Sequence, residues 1–302
     1  MRTAFIETLL KNDDNVFLLT GDLGYSVIEK FSDKNPDRFL NCGVAEQNMS
    51  GIAAGLAIEG YKVFTYSIAN FNTLRCIEQI RNDICYNNLD VTIVSVGGGF
   101  VYGTAGYSHH AIQDIGMMGS MPNMTLLLPS DPYETSICVD YALSNKGPKY
   151  LRIGRNGEKK INHEGSFNSY REVKLQNNSD VLIATTGGML SVASETSEIL
   201  ARQDIKADVF SFPIIGNDFD SIFRNASDKY TSIVTIEESL AQFGFSALVL
   251  NSVSLKPRRL IPFGVSRDLC SIVGSQDYLR KIHSLDAEKV ADKIIQVLKS
   301  GY

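Results

Sequence analysis

One acid stands at the head of an amphipathic repeat. In the stretch 43–60, GVAEQNMSGIAAGLAIEG, Met49, Ile52, Ala53 and Leu56 recur at three- and four-residue steps, and Glu46 falls in the first turn of the helix they define. There the helix dipole favours an anion by about 0.3–1 kcal/mol, so the residue alone reads as a helix-stabilising acid. Gly51, Ala54, Gly55 and Ala57 in the same stretch let another backbone come close, so the helix is expected to be buried. The triplet Gly97-Gly98-Gly99 follows an apolar run but lacks the GxGxxG or GxxxxGK[ST] spacing of a phosphate loop. Cys42, Cys76, Cys85, Cys138 and Cys270 contain no C-x-x-C pair and lie in apolar contexts, so reduced core residues are expected. Neither they nor the histidines show a metal-ligand spacing, and no metal site is expected on this chain.

These residues need elements to position them. From residue 15 to about 155, short apolar runs (NVFLLTGD, KVFTYS, LDVTIVSVGGG, MTLLLPSD, KYLRIGR) alternate with helical patterns (43–60, NTLRCIEQIRNDICY, PYETSICVDYALSN). Strands apolar on both faces and alternating with helices predict a doubly wound parallel sheet in an α/β domain. Asp131-Pro132-Tyr133-Glu134 predicts a helix start, with an N-cap acid, proline at the first position and glutamate three residues after the cap. Periodicity fades and polar residues dominate from 156 to 180. Beyond it DVLIATTGG, IKADVFSF, YTSIVTIEES, RRLIPFGV and a closing helix, DAEKVADKIIQVLKS, predict a smaller α/β domain. The boundaries are read as a domain over 1–160, a linker over 161–178 and a second domain over 179–302.

A chain of 302 residues with 44% apolar content can bury two cores, at roughly 100–200 residues per domain. Its net charge of −5 and scattered basic residues argue against a nucleic-acid surface. No run of 18 apolar residues suggests a membrane span, and the acid-containing start MRTAFIETLLKNDDNVF is unlike a signal peptide, so a cytoplasmic protein is expected.

The segments TGDLGYS (20–26), NCGVAEQNMSGIAAGLAIEGYKVF (41–64), EQIRNDICYNNLDVTIV (78–94), SHHAIQDIGMMGSMPNMTLLLPSDPYE (108–134), YLRIGR (150–155) and TIEES (235–239) together resemble the transketolase family. The likeness is to its C-terminal half, which in some organisms is a separate subunit. It also extends to deoxyxylulose-phosphate synthase and to beta subunits of 2-oxo-acid dehydrogenases. The resemblance implies a pyrimidine-binding domain with the thiamine diphosphate-binding fold, followed by a transketolase C-terminal domain.

It also implies roles. Glu46 matches the acid that hydrogen-bonds N1′ of the thiamine aminopyrimidine, where the cofactor is activated. Asp22 matches an acid near the cofactor at the subunit interface. Ile68 stands where an aromatic usually packs on the pyrimidine, and Phe71 matches a second aromatic of that pocket. His109 matches a substrate-facing histidine; His110 is read as supporting. Ser26, Arg75 and Arg155 match phosphate-contacting residues of relatives, and arginine's planar fork suits phosphate. A sugar phosphate or other anionic sugar is the substrate so implied.

The sequence lacks the G-D-G segment, followed by Asn, that in relatives binds the diphosphate and Mg²⁺. A partner N-terminal subunit carrying that motif is therefore implied, in a dimer of heterodimers. Gly97 and Ala105 stand where transketolases carry a histidine and an aspartate that read sugar hydroxyls, which implies a roomier, less polar pocket, and Gly97-Gly98-Gly99 is read as an active-site loop. Glu237-Glu238 is followed by Ser239 in place of histidine, suggesting a structural, dimer-forming second domain. The leading expectation is two-carbon ketol transfer from a ketose to an aldehyde. A 2-oxo-acid decarboxylating beta subunit, a deoxyxylulose-phosphate-synthase-like enzyme and a non-catalytic assembly homologue are the alternatives.

Overall fold

The computed structural model describes residues 1–300 apart from 13, 156, 159–160, 162–166, 168, 254–257 and 270. In chain order the strands are β1 (Val16–Thr20), β2 (Phe39–Asn41), β3 (Lys62–Ile68), β4 (Val91–Val96), β5 (Thr125–Leu127), β6 (Lys149–Ile153), β7 (Arg171–Lys174), β8 (Val181–Thr185), β9 (Ala207–Ser211), β10 (Ile214–Ile215), β11 (Ser232–Leu240) and β12 (Arg259–Val265). The first sheet has the order β10-β5-β6-β4-β3-β1-β2 and is parallel except at β10. The second has the order β12-β11-β8-β9-β7 and is parallel except at β7. β4 and β6 are buried along their whole length, as central strands of a parallel sheet are, with Lys149 and Arg152 of β6 buried through ion pairs to Asp90 and Asp114.

The helix starting at Pro132 is capped as its sequence predicts: the Asp131 carboxylate accepts from the Glu134 N–H at 2.9 Å. Glu134 does not close a full capping box. Its carboxylate takes the Ser130 N–H and hydroxyl, and the Arg171 guanidinium at 2.9 Å. That ion pair explains a departure from the predicted linker. Residues 171–174 form β7, an edge strand pinned to the first domain through Arg171, and its half-exposed polar pattern hides it in the sequence. The two domains are joined more closely than a linker implies. β10, from the second half of the chain, pairs with β5, and one apolar cluster runs from Leu126 and Tyr150 to Phe212, Phe223 and Phe245.

The helix Glu46–Ile58 buries Met49, Ser50, Ala53 and Ala54 but not its whole girth. Gly51 and Gly55 face open space, and Val44 and Ile58 are 74% and 68% exposed, so among the described residues no backbone packs on Gly51 or Gly55. The predicted helix over 72–86 is wound unevenly: a 3₁₀ turn Leu74–Cys76, one α-turn Ile77–Gln79 and a π-helix Ile80–Cys85 closed by Tyr86 N–H to Arg81 C=O at 3.0 Å. Cys76, Cys85 and Cys138 are buried and Cys42 is half-buried, all four as free thiols. Cys270 lies outside the described residues. Burial pushes the Cys76 and Cys85 thiols up to about 11 and about 12. Among the described residues no helix is long and apolar enough to cross a membrane.

Candidate active site

Parallel pairing brings the C-terminal ends of β1, β2, β3, β4 and β6 to one edge of the first sheet, where open α/β sheets place their ligands. Each of the sequence-predicted site residues lies at or just after one of these ends. Asp22 and Ser26 follow β1, Glu46 follows β2, Ile68 closes β3 with Phe71 and Arg75 after it, His109 follows β4 and Arg155 follows β6.

Glu46 is the first residue of its helix and is 1% exposed. One carboxylate oxygen accepts from the Ser67 hydroxyl at 3.1 Å and the other from the Arg75 guanidinium at 2.8 Å. Gly21 is small for a reason: a Cβ there would sit 3.2 Å from Ser67 Oγ and 3.3 Å from Glu46 Cγ, so the end of β1 passes directly against the acid. Arg75 is thus engaged with Glu46, and its guanidinium also lies 4.8 Å from the centre of the Phe71 ring.

From Phe71 the contacts continue outward. The Phe71 ring meets the His109 imidazole edge-on at 5.1 Å, and Tyr102 meets the same imidazole at 6.3 Å. The Arg155 guanidinium lies 5.7 Å from the Tyr102 ring centre. Glu46, Arg75, Phe71, His109, Tyr102 and Arg155 therefore form one row from a buried acid to an exposed cation. Ile68, the last residue of β3, follows Ser67 and is half-buried. His110 turns away from the row: the side chain is 2% exposed, with Nε2 2.9 Å from the Gly103 carbonyl.

Asp22 and Ser26 form a separate, shallower group. Both have left-handed backbone, with φ of 58° and 65°. The Asp22 carboxylate accepts from the Asn41 amide at 3.0 Å and the Tyr25 hydroxyl at 2.9 Å, and these bonds hold it below the usual carboxylate range. Asn41 also takes the N–H of Gly43 at 2.9 Å, tying this turn to the segment that leads into Glu46. Ser26 is exposed and its N–H is held by Glu29 at 2.7 Å.

Four residues of this edge escape the sequence reading: Ser67, Asn41, Tyr25 and Tyr102. Ser67 carries a faint signal, as a polar residue inside the apolar run of β3. Asn41 closes a three-residue strand too short to give a period, and Tyr102 belongs to no recognisable spacing.

The loop after β4 explains its glycines by what replaces their side chains. A Cβ on Gly97 would strike the Tyr102 ring, one on Gly98 the Arg152 guanidinium, and one on Gly99 the Glu238 carboxylate. Arg152 donates to Asp114 at 2.7 Å and to the Glu238 carbonyl at 3.0 Å, and Arg280 grips the Glu238 carboxylate at 2.8 Å. A buried polar seam between the domains thus braces this loop from behind. Glu237 points elsewhere. Its carboxylate accepts from the N–H groups of Phe245 and Ser246 at 2.8 and 2.7 Å and from the Ser239 hydroxyl, capping the helix Phe245–Val253. Among the described residues no group of three or more His, Cys, Asp or Glu side chains could hold a metal ion.

Comparison with known proteins gives the family. The profile "Transketolase, pyrimidine binding domain" matches residues 2–157, and "Transketolase, C-terminal domain" matches 171–290. A 6-deoxy-6-sulfo-D-fructose transketolase subunit of Clostridium sp. is 31% identical over 96% of this chain and 92% of its own. One of the subunits of an apulose-4-phosphate transketolase from Phocaeicola vulgatus is 29% identical over 99% of this chain and 97% of its own. Among solved structures, a split-gene transketolase described as an inactive beta4 tetramer superposes with a TM-score of 0.83 at 29% identity, covering 99% of this chain and 96% of that one.

Proposed function

Because the chain belongs to the transketolase family, we propose that it is the C-terminal subunit of a split, thiamine diphosphate-dependent transketolase. In this reading it works with an N-terminal subunit that binds the diphosphate. The observation that carries the reading is the Glu46 carboxylate: 1% exposed, yet holding one protein hydrogen bond on each oxygen. A carboxylate offers about four acceptor positions, so it has capacity for a further ring-nitrogen donor. That capacity, with the half-buried Phe71 and Ile68 beside it, fits an aminopyrimidine.

Thiamine diphosphate, when bound, supplies the nucleophilic carbon that carries a two-carbon ketol unit from a ketose to an aldehyde. Glu46 holds and returns a proton at its carboxylate oxygens, a role worth about 10²–10⁴-fold in rate. Ser67 and Arg75 fix the direction of that carboxylate, so we assign Arg75 to orienting the acid before any contact with phosphate. Phe71 and Ile68 wall the ring, with Ile68 giving dispersion but no offset stacking. His109 stands between the acid and the exposed end of the row, placed to hydrogen-bond reacting hydroxyls. Arg155 takes the anionic end of a sugar phosphate or other anionic sugar, with Ser26 as a second polar contact at the rim. Asp22, held ionised by Asn41 and Tyr25, faces the partner's side of the cofactor.

We assign Mg²⁺ and the diphosphate to a partner carrying G-D-G followed by Asn, since hard cations take carboxylate and amide oxygens and this sequence has no such segment. Two copies of each polypeptide would build two shared sites. Free thiols suit a reducing compartment, the cytoplasm. Calorimetric titration of thiamine diphosphate with Mg²⁺ tests the assignment. Binding is expected only when this chain is mixed with the G-D-G-bearing subunit; equal binding by the isolated chain would overturn the shared site.

A further inference from the structure

The short helix after β3, Ala69–Asn72, brings two neighbouring side chains to the same histidine. Phe71 meets the His109 imidazole edge-on at 5.1 Å. Asn70, one residue earlier, reaches the backbone on either side of it: the amide nitrogen donates to the Ser108 carbonyl at 3.0 Å and to the His110 carbonyl at 3.1 Å. Two carbonyl oxygens facing one end of the amide settle which end is the NH₂, because only a donor satisfies them. Asn70 is 6% exposed, and its amide oxygen is buried without a hydrogen-bond partner. A buried acceptor left unpaired is costly and rare, so what keeps the side chain there is the work of its NH₂ group.

That work falls on the backbone carrying His109. The residue closes the 3₁₀ turn Tyr107–His109, where its N–H reaches the Gly106 carbonyl at 2.9 Å and the His110 N–H reaches the Tyr107 carbonyl at 3.1 Å. These bonds shape the turn but tie it to nothing outside itself. Asn70 ties it to the end of β3, the strand that also supplies Ser67 to Glu46. The Ser108 hydroxyl lies 3.0 Å from His109 Nδ1, which leaves Nε2 without a hydrogen-bond partner among the described residues.

We infer that Asn70 is the positioning residue for His109: its amide holds the two peptide carbonyls that flank the histidine and so seats the imidazole against Phe71 with Nε2 open to a ligand. The inference rests on the transketolase reading above, in which His109 meets the reacting hydroxyls. Asn70 acts on that step only through the backbone of His109.

The first test needs no turnover. In the isolated chain, with histidine and phenylalanine side chains labelled, the wild type should give a nuclear Overhauser contact between the His109 and Phe71 rings. N70L keeps the branched shape but removes both donors, and should lose that contact. N70A, which leaves the same two carbonyls to water, gives the same readout with no added bulk. A contact unchanged in both variants would overturn the inference.

The second test uses the assembled two-subunit enzyme with hydroxypyruvate as ketol donor and D-glyceraldehyde 3-phosphate as acceptor. N70L is expected to lower kcat about 10- to 100-fold, the scale of loss when a positioned group is displaced by about an ångström. Thiamine diphosphate affinity should be unchanged, because Glu46 and Ser67 keep their places. The double variant N70L/H109A should be no worse than H109A alone, because both changes remove one function. Losses that multiply, or a fall in cofactor affinity as large as the fall in kcat, would make Asn70 a general support of the sheet edge and overturn its role while leaving ketol transfer standing. A wild-type enzyme that forms no ketol product would instead overturn the underlying reading, and the catalytic part of this inference with it, whatever the ring contact shows.

Discussion

Two buried glutamates stand beside helix starts in the two halves of this molecule, and they differ in what surrounds them. Glu46 is 1% exposed and Glu237 is 0% exposed, so burial does not separate them. Their partners do. Glu237 is wrapped by two backbone N–H groups and a hydroxyl from its own domain, and a Cβ on Gly244 would strike its carboxylate. Burial pushes its carboxyl above the usual range, with those hydrogen bonds pulling the other way. Glu46 has one donor on each oxygen, one of them from an arginine that is 45% exposed, at the edge where five strand ends converge. Glu237, with three donors from its own domain, is a helix cap; Glu46, with two donors and more acceptor capacity left at the edge where the strand ends meet, is the candidate for chemistry.

The largest expected effect would break this contrast if it failed. E46Q in the assembled enzyme should cut kcat by about 10²–10⁴-fold, while thermal unfolding of the subunit shifts little. Gln preserves the Ser67 contact, and the exposed Arg75 is solvated once its partner is neutral, so the stability cost should be about 0–1 kcal/mol. Turnover that survives E46Q would remove the proposed role.

The converse substitution has the converse profile. E237Q turns an NH₂ toward N–H groups that need an acceptor, and each buried donor left unpaired costs about 1–3 kcal/mol. Chemical denaturation should therefore show E237Q clearly destabilised. The surviving folded fraction should keep the wild-type kcat, because Glu237 braces a helix and touches none of the site row. A lower kcat at unchanged stability would mean that the two acids are closer in function than their surroundings indicate.

This contrast also marks how far the sequence could be read. The doubly wound sheet was legible because its strands read as short, mostly apolar runs between helical patterns, as in β1 (VFLLT) and β8 (VLIAT). The Asp131 cap was legible because its chemistry is local. β7 and β10 were not: one is a polar edge strand held by a distant ion pair, the other two residues long. Within the site, the motifs named residues at the strand ends but could not say which touch. That Arg75 grips Glu46 rather than standing apart from it depends on the uneven winding of 74–85. That Tyr102 fills the space above Gly97 depends on a loop whose shape the seam between the domains sets.

The smallest effect tests whether the second domain supports the site loop or merely adjoins it. His283, in the second half of the chain, stacks on Phe100 of the loop after β4 with ring centres 5.1 Å apart, and its Nδ1 accepts the Ser266 N–H at 3.2 Å. Burial, and then the neighbouring His110, hold its pKa below the ordinary 6.5, with Glu238 opposing them. The sign follows from linkage: the unfolded chain takes up a proton near 6.5 before the folded one does, so stability is full above that pH and falls as pH drops through and below it. Replacing His283 with Gln removes this proton uptake, and the variant's Tm should decline less steeply than the wild type's below pH 6.5. The same titration should loosen Phe100, read as faster hydrogen exchange in the loop 97–110 at low pH in the wild type alone. Identical pH profiles for exchange in both proteins would show that His283 does not brace the loop, leaving that role to the Arg152–Glu238 seam and to the packing of Gly274 and Leu279 on Gly103.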